Sequence, residues 1–383
     1  MGGAGILTME VLKLLPEFDF DVTVYSLYNI NKDLSVEIEV PKSASYRNLE
    51  IEKIPILKRI KFLKETFEAF DIVHSCMEMS NFYCSLIRNI SGKMRHVCTI
   101  HGADGVFIED EILEQEIKNS WSWKYVFMVN QLTTYLFKKT DLFIAVCNDT
   151  KEFLIQKRKI PSHKIEVVYH GRNYDRIERE NSSTDSQTLK EHLKLPKDSF
   201  VLGYVGRLSH GKGLEGLAKV IDNLALMKLN MHFVIVGDGA LKSSLILSAQ
   251  RSGNISMYTF LGMIENPWPY YKIMDLLILP SSSESTALVL QEAMYNRVVT
   301  LSFEVGGIPE VITNNIEGFM VKKGDFNALQ YKILEIYDNR NDLEEIKTNG
   351  ATKVARIFNL EENVELIVKL LKNLIKRKQS NPS

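Results

Sequence analysis

The sequence predicts an α/β protein made of two doubly wound halves, and three observations predict it. Short β-branched or apolar runs alternate with helix-length amphipathic stretches, the pattern of parallel sheets with crossover helices. Glycine-bearing turns stand directly after several of those runs, where open α/β sheets bind ligands. A chain of 383 residues is long enough for two domains that each bury a core.

In the first half the strand-like runs are Val22–Tyr25, Asp71–His74, His96–Ile100, Asp141–Val146 and Ile165–Val168. In the second half they are Val201–Val205, His232–Val236, Tyr258–Leu261, Leu276–Leu279 and Val298–Leu301. Helices are expected over Ile6–Leu15, Leu214–Met227 and Ser285–Tyr295, and the pattern is helical after about Asn327. The polar stretch Arg179–Ser199, with Asn181–Ser186 inside it, reads as a linker. The expected domains are therefore 1–178 and 198–360, joined by 179–197 and followed by a terminal helical segment, 361–383. The chain opens Met1-Gly-Gly-Ala-Gly5, already at the glycine turn that normally follows a first strand. That first strand is expected to be missing.

Composition excludes several classes of function. A formal net charge of −1 provides no field to draw in nucleic acid. Cys76, Cys84, Cys98 and Cys147 form no C-x-x-C pair and no disulfide framework, so they read as small buried residues. No apolar stretch has the roughly 18 residues of a membrane span, and the N-terminus lacks the pattern of a signal peptide. A cytoplasmic location is expected. No His/Cys set has zinc spacing, and no G-x-S-x-G or P-loop occurs. Asp19-Phe20-Asp21 has the D-x-D form of a metal motif but no second ligand in view, so no metal is expected.

The chemistry is concentrated in the second half. Ser281-Ser-Ser-Glu284 follows the run Leu276–Leu279 and leads into a helix bearing Glu292. Eight positions on a helix rise roughly 12 Å, about the length from the sugar ring of a nucleotide sugar to its ribose. Each carboxylate can accept two hydroxyl hydrogen bonds, and the helix N-terminus between them offers N–H groups to a diphosphate. Val205-Gly206-Arg207-Leu208 ends another run and leads into His210-Gly-Lys212-Gly213, an arginine and a lysine among glycines. Glycine lets backbone approach a phosphate, and charge-assisted bonds to it contribute ~1.5–3 kcal/mol each. Val236-Gly237-Asp238-Gly239 and Gly306-Gly-Ile-Pro-Glu310 are further glycine turns at run ends.

Taken together these residues resemble family 4 of the retaining glycosyltransferases, which have the GT-B fold. Its E-x7-E element matches at Glu284 and Glu292, its G-R-L…K-G at Gly206–Leu208 and Lys212-Gly213. Its V-G-D-G matches at Val236–Gly239, its G-G-I-P-E-V-I at Gly306–Ile312, and its G-D at Gly324-Asp325. In the first half Thr99-Ile-His101-Gly102 is similar to the family's T-x-H-G, and Gly2-Gly3 to its first glycine loop.

The resemblance implies two Rossmann-like domains facing across a cleft, with the acceptor on the first and the nucleotide sugar on the second. It also implies that the last helix returns to the first domain. Arg207 and Lys212 would clamp the donor diphosphate and stabilise it as leaving group. Glu284 would hold the transferred sugar, Glu292 the ribose, and His101 would stand near the reacting sugar. Gly2 and Gly3 would bring N–H groups toward phosphate or acceptor. Gly206, Gly237, Ser285, Ala287 and Leu288 would complete the donor site. The family often has glycine where Ser285 and Ala287 stand, and its N-G-V-D turn is here His170-Gly171-Arg172-Asn173.

The implied activity is hexosyl transfer from a UDP- or GDP-linked sugar to a glycan or lipid-linked hydroxyl, in cell-envelope or polysaccharide biosynthesis. No cofactor or metal is expected, because Arg207, Lys212 and helix dipoles neutralise the diphosphate. A nucleotide-sugar epimerase and a truncated, inactive binding or scaffold protein are the alternatives left open. Two segments suggest peripheral contact with a membrane. Lys53–Phe67 sets Lys58, Arg59, Lys61 and Lys64 among apolar residues, and Ser120–Lys139 carries Trp121, Trp123, Tyr125, Phe127, Tyr135 and Phe137.

Overall fold

The computed structural model describes residues 3–28, 44–102, 131–182 and 185–380. The chain divides into two compact units, Met1–Arg172 with Leu360–Ser383, and Asn173–Asn359.

In the first unit β1 (Thr23–Ser26) pairs in parallel with β2 (Ser45–Asn48). Then β3 (Ile72–Ser75), β4 (Arg95–Ile100), β5 (Leu142–Ala145) and β6 (Ile165–Val167) form a parallel sheet in chain order. No hydrogen-bonded pairing joins β1 to β3 among the described residues. Yet Val24 and Ile72 share one core, and Tyr25 and Val73 share another. A doubly wound order would place one more strand at that break.

The helix Gly3–Leu14 and the terminal helix Leu360–Ser380 cover one side of these strands. Val11, Leu15, Val364, Ile367 and Leu371 bury together with Val22, Val97 and Ile144. The last helix thus belongs to the first unit because its apolar stripe completes that unit's core. On the other side Leu63 and Phe67 of the helix Ile56–Phe67 pack with Tyr83 and Ile87 of the helix Glu78–Ile90. Asp141 holds the start of β4 and β5 together. Arg88 donates twice to it, at 2.6 and 2.9 Å, Arg95 once at 3.0 Å, and the His96 backbone N–H at 2.9 Å. Burial alone would raise the Asp141 pKa, but these donors hold it below the usual carboxylate range.

In the second unit six parallel strands stand in the order β12-β11-β10-β7-β8-β9. Their ranges are β7 Phe200–Val205, β8 Met231–Val236, β9 Tyr258–Gly262, β10 Leu276–Leu279, β11 Val299–Glu304 and β12 Phe319–Lys322. This is the doubly wound order, and its direction reverses between β7 and β10. All of β7, β8 and β10 is buried, which their continuous apolar runs anticipate.

The fold departs from the sequence reading at several places, the first being β2, whose residues are all exposed and so carry no apolar run. Strand β12 was not expected; only Phe319 in it is buried, so its apolar signal is short. The stretch expected as a linker holds the helix Ser186–His192 and the end of another, Tyr174–Glu180. Asn173 and Asp185 cap them, each side chain accepting from the backbone N–H three residues on, at 2.8 Å. The first unit ends at Arg172, ahead of the expected 178, because the helix Tyr174–Glu180 is held by residues of the second unit. Tyr174 donates to Gln291 at 2.7 Å, Tyr295 to Asp175 at 2.7 Å, and the Trp268 indole to Glu178 at 3.2 Å.

Candidate active site

The topological reversal places the loops after β7 and β10 side by side. The loop after β7 carries Gly206, Arg207 and Lys212 and ends at Gly213, which caps the helix Leu214–Leu226 with φ +70°. A Cβ on Gly213 would stand 2.0 Å from the Pro280 carbonyl oxygen, so the two loops touch through backbone. Ser282 reinforces the contact, its N–H and hydroxyl both donating to the Gly211 carbonyl at 2.8 and 3.0 Å.

This contact brings Lys212 to Glu284. The ammonium donates to Glu284 Oε1 at 2.7 Å, with the lysine side chain 31% exposed and the glutamate 15%. The Gly307 N–H donates to the Glu284 carbonyl at 3.2 Å, which adds the glycine turn after β11 to the same spot. The turn after β8 joins from the opposite side of β7. Gly237 has φ +143°, and a Cβ there would meet the Gly206 carbonyl at 1.8 Å. Leu208 N–H donates to the Asp238 carbonyl at 2.9 Å.

Arg207 is exposed, and its carbonyl accepts from the hydroxyl of Tyr204 at 3.0 Å. Tyr204 is buried; burial first, then the Glu284 charge, pushes its phenol pKa up, while Arg207 opposes them. One phenol therefore feels both Glu284 and Arg207. A sequence reading missed Tyr204; its signal was a lone aromatic hydroxyl two residues before Gly206 in an aliphatic strand.

Glu284 itself corrects an expectation. The helix runs Leu288–Tyr295, not from Ser285, so Glu284 lies in the preceding bend and the 12 Å helical rise does not apply to the glutamate pair. The cause is local. Ala287 adopts φ +30°, ψ 86°, outside the helical region, and Gln291 Nε2 donates to the Thr286 carbonyl at 2.9 Å, holding the bend. Ser285 and Ala287 line that bend and Leu288 starts the helix. Glu292 sits one turn further on, buried, where the Tyr271 hydroxyl donates to its Oε2 at 2.6 Å. Asp325 of the Gly324-Asp325 pair caps the helix Phe326–Asp338, accepting from Ala328 N–H at 2.8 Å.

In the first unit His101 follows β4, and its Nε2 is buried without a hydrogen-bond partner among the described residues. Burial lowers its pKa to about 4, so the ring is neutral near pH 7. His170 packs edge-to-face against it at 5.0 Å, with its own Nδ1 unpartnered among the described residues. His74 joins the group through the hydroxyl of Thr99, 2.7 Å from its Nε2, and burial and then His101 lower it to about 4. Neutral imidazoles with unpaired nitrogens can accept a hydroxyl proton. Gly3 starts the first helix rather than a glycine loop, and Gly2 lies outside the described residues. Trp121, Trp123, Tyr125 and Phe127 lie outside them too. The basic residues of Ile56–Phe67 are engaged locally: Arg59 donates to the carbonyls of Ile54 and Glu52, and Lys61 and Lys64 stand near Glu65 and Glu68. No helix among the described residues is long and apolar enough to cross a membrane. Nor does any group of three His, Cys, Asp or Glu among them gather in a way that could hold a metal ion.

Comparison with known proteins covers both units. Residues 185–353 match the family described as "Glycosyl transferases group 1", and residues 1–176 match "Glycosyltransferase Family 4". The UDP-Gal:alpha-D-GlcNAc-diphosphoundecaprenol alpha-1,3-galactosyltransferase of Escherichia coli is 24% identical over 389 residues, spanning 99% of this chain and 95% of that protein. Among solved structures, HepE of Anabaena in complex with UDP superposes with a TM-score of 0.78 at 18% identity, over 97% of this chain and 96% of that one. A glycosyltransferase from Rickettsia africae gives 0.78 at 19% identity, over 98% and 96%.

Proposed function

Because this chain belongs to the family 4, group 1 glycosyltransferases of GT-B fold, we propose that it moves a hexosyl unit from a UDP-linked sugar to a hydroxyl of a glycan or lipid-linked acceptor, with anomeric configuration retained and no metal cofactor. The observation that carries this reading is the Lys212–Glu284 contact at the reversal point of the second sheet. It sets a cation for the leaving diphosphate beside a carboxylate for the sugar hydroxyls. Arg207, exposed on the same loop, adds the second charge, and the helix Leu288–Tyr295 presents its N-terminal N–H groups nearby. Glu292 is the ribose residue. His101, kept neutral by burial, is the first unit's group for the acceptor hydroxyl.

The E. coli relative supports a UDP-sugar donor and a polyprenyl diphosphate acceptor, and the Anabaena neighbour supports UDP. An acceptor of that kind would be met at the inner face of a membrane by a cytoplasmic enzyme in peripheral contact. Leu132 and Tyr135, 45% and 62% exposed, are apolar groups suited to that contact. Flotation with anionic liposomes at low salt tests the contact; absence of binding removes it.

The test of the donor is a melting-temperature screen against UDP-, GDP- and ADP-sugars, since a ligand of the native state raises the midpoint. A rise with UDP-sugars alone supports the reading, and no rise with any of them overturns it. Product NMR with and without EDTA then reads the anomeric outcome and the metal requirement. Inversion, or loss of turnover in EDTA, overturns those two parts.

A further inference from the structure

Glu292 is a carboxylate that a neighbouring tyrosine holds in place. It is 4% exposed, and Tyr271, whose hydroxyl donates to its Oε2 at 2.6 Å, is 0% exposed. That length is typical of an O–H to carboxylate bond, the stronger, charge-assisted kind. The two residues belong to different elements. Tyr271 ends the short helix Trp268–Tyr271 before β10, and Glu292 is on the helix after it. The phenol ring is itself fixed. Trp268 packs against it edge-on at 6.3 Å and 78°, and the Trp268 indole is tied to Glu178. Phenylalanine would fill the same space without a polar group to satisfy, so the hydroxyl needs a use beyond packing.

We propose that Tyr271 is a positioning residue for donor recognition: its hydroxyl sets the plane of the Glu292 carboxylate so that the carboxylate meets the ribose hydroxyls of the donor nucleotide. The inference rests on the reading of Glu292 as the ribose residue. The neighbouring Gln291 is held in a parallel way, by the Tyr174 hydroxyl at 2.7 Å, while its amide anchors the Thr286 carbonyl. The two tyrosines thus immobilise consecutive side chains of one helix, Gln291 toward the Glu284 bend and Glu292 toward the ribose.

The experiment measures, by calorimetry, affinity for UDP and for 2′,3′-dideoxy-UDP in the wild type, Tyr271→Phe and Glu292→Ala. A guanine pair replaces them if the wild type binds GDP instead. A structural role would weaken both nucleotides equally, whereas a positioning role changes their ratio. The wild type is expected to prefer the ribonucleotide by roughly tenfold or more, the worth of one hydrogen bond. Tyr271→Phe should remove most of that preference while leaving dideoxynucleotide affinity unchanged, and Glu292→Ala should remove it all. Should phenylalanine not fold, Tyr271→Met, which also deletes the hydroxyl and fills the space with a pliable chain, is measured instead. Preference lost in Glu292→Ala but kept in full in the hydroxyl-free variant overturns the role of Tyr271 alone. Preference kept in Glu292→Ala overturns the ribose reading and this proposal with it.

Discussion

Lys212 Nζ donates to Glu284 Oε1 across 2.7 Å, although 72 positions separate the two residues in the chain. The contact exists because Gly213 has no side chain to keep its loop away from Pro280. A diphosphate entering beside this pair would exchange one anionic partner of Lys212 for another, so the lysine needs no large rearrangement to meet its substrate.

Lys212→Ala should therefore lower kcat by roughly 10²–10³, the loss seen when one preorganised donor is removed. Its melting point should fall little, since a part-exposed ion pair contributes about 1 kcal/mol or less. Steady-state kinetics and a thermal melt check both halves. Near wild-type turnover would refute the leaving-group role.

Ala287 stands in the left-handed region at φ +30°, where an L side chain costs about 1–2 kcal/mol. Ala287→Gly relieves that strain and loses part of the gain to the more flexible unfolded chain, leaving a net stabilisation of about 0.5–1 kcal/mol. Urea denaturation measures it. A less stable variant would mean that the methyl group, buried here, packs more favourably than the strain costs.

Gly237 and Gly324 separate two reasons for glycine. Both have positive φ, but a Cβ on Gly237 would press to 1.8 Å of the Gly206 carbonyl, while on Gly324 it meets nothing within 4 Å. Gly324→Ala should cost only the backbone penalty, about 1–2 kcal/mol. Gly237→Ala should cost clearly more, about 3 kcal/mol or above, and should weaken nucleotide binding because Gly206 must shift. Equal losses in the two variants would show that the turns after β7 and β8 yield more easily than their backbone contact implies.

The buried histidines make the first unit acid-sensitive. Burial lowers His74 and His101 to about 4, His96 to about 3, and His170 well below its ordinary value, against about 6.5 in an unfolded chain. Below 6.5 the unfolded state binds more protons than the native one, so stability rises with pH there and is lost as pH falls from 6.5 toward 4. Each group can contribute up to about 1.4 kcal/mol per pH unit across that window. Urea midpoints at pH 7.5, 6 and 5 should fall steeply over the last two, and less so in His170→Asn. A flat profile would mean that these rings find protons or partners in the folded state.

Much of the second unit was legible because its signals are local. Apolar runs bounded by Gly206, Gly237 and Gly306 mark strand ends whatever the rest of the chain does. The first unit was less so. Its cores draw on the terminal helix, whose Val364 and Leu371 meet Val11 and Leu15 from the opposite end of the sequence. Its histidine group is assembled from β3 and the turns after β4 and β6, so a site role was legible for His101 alone, and no pattern along the chain joined it to His74 and His170.

What the amino-acid sequence determined by itself was the alternation of strands and helices, the glycine turns and the residue types available for a diphosphate and two sugar rings. Those depend on hydrophobic period and on backbone freedom, which act over a few residues. Only the tertiary structure decided that Glu284 stands in a bend rather than on a helix, that Lys212 reaches it, and that Tyr204 and Tyr271 give their hydroxyls to the Arg207 carbonyl and the Glu292 carboxylate. Each of those outcomes turns on how backbone closes in three dimensions, whether where β7 and β10 lie side by side or in the turn and bend beside them, and no pattern along the chain records that.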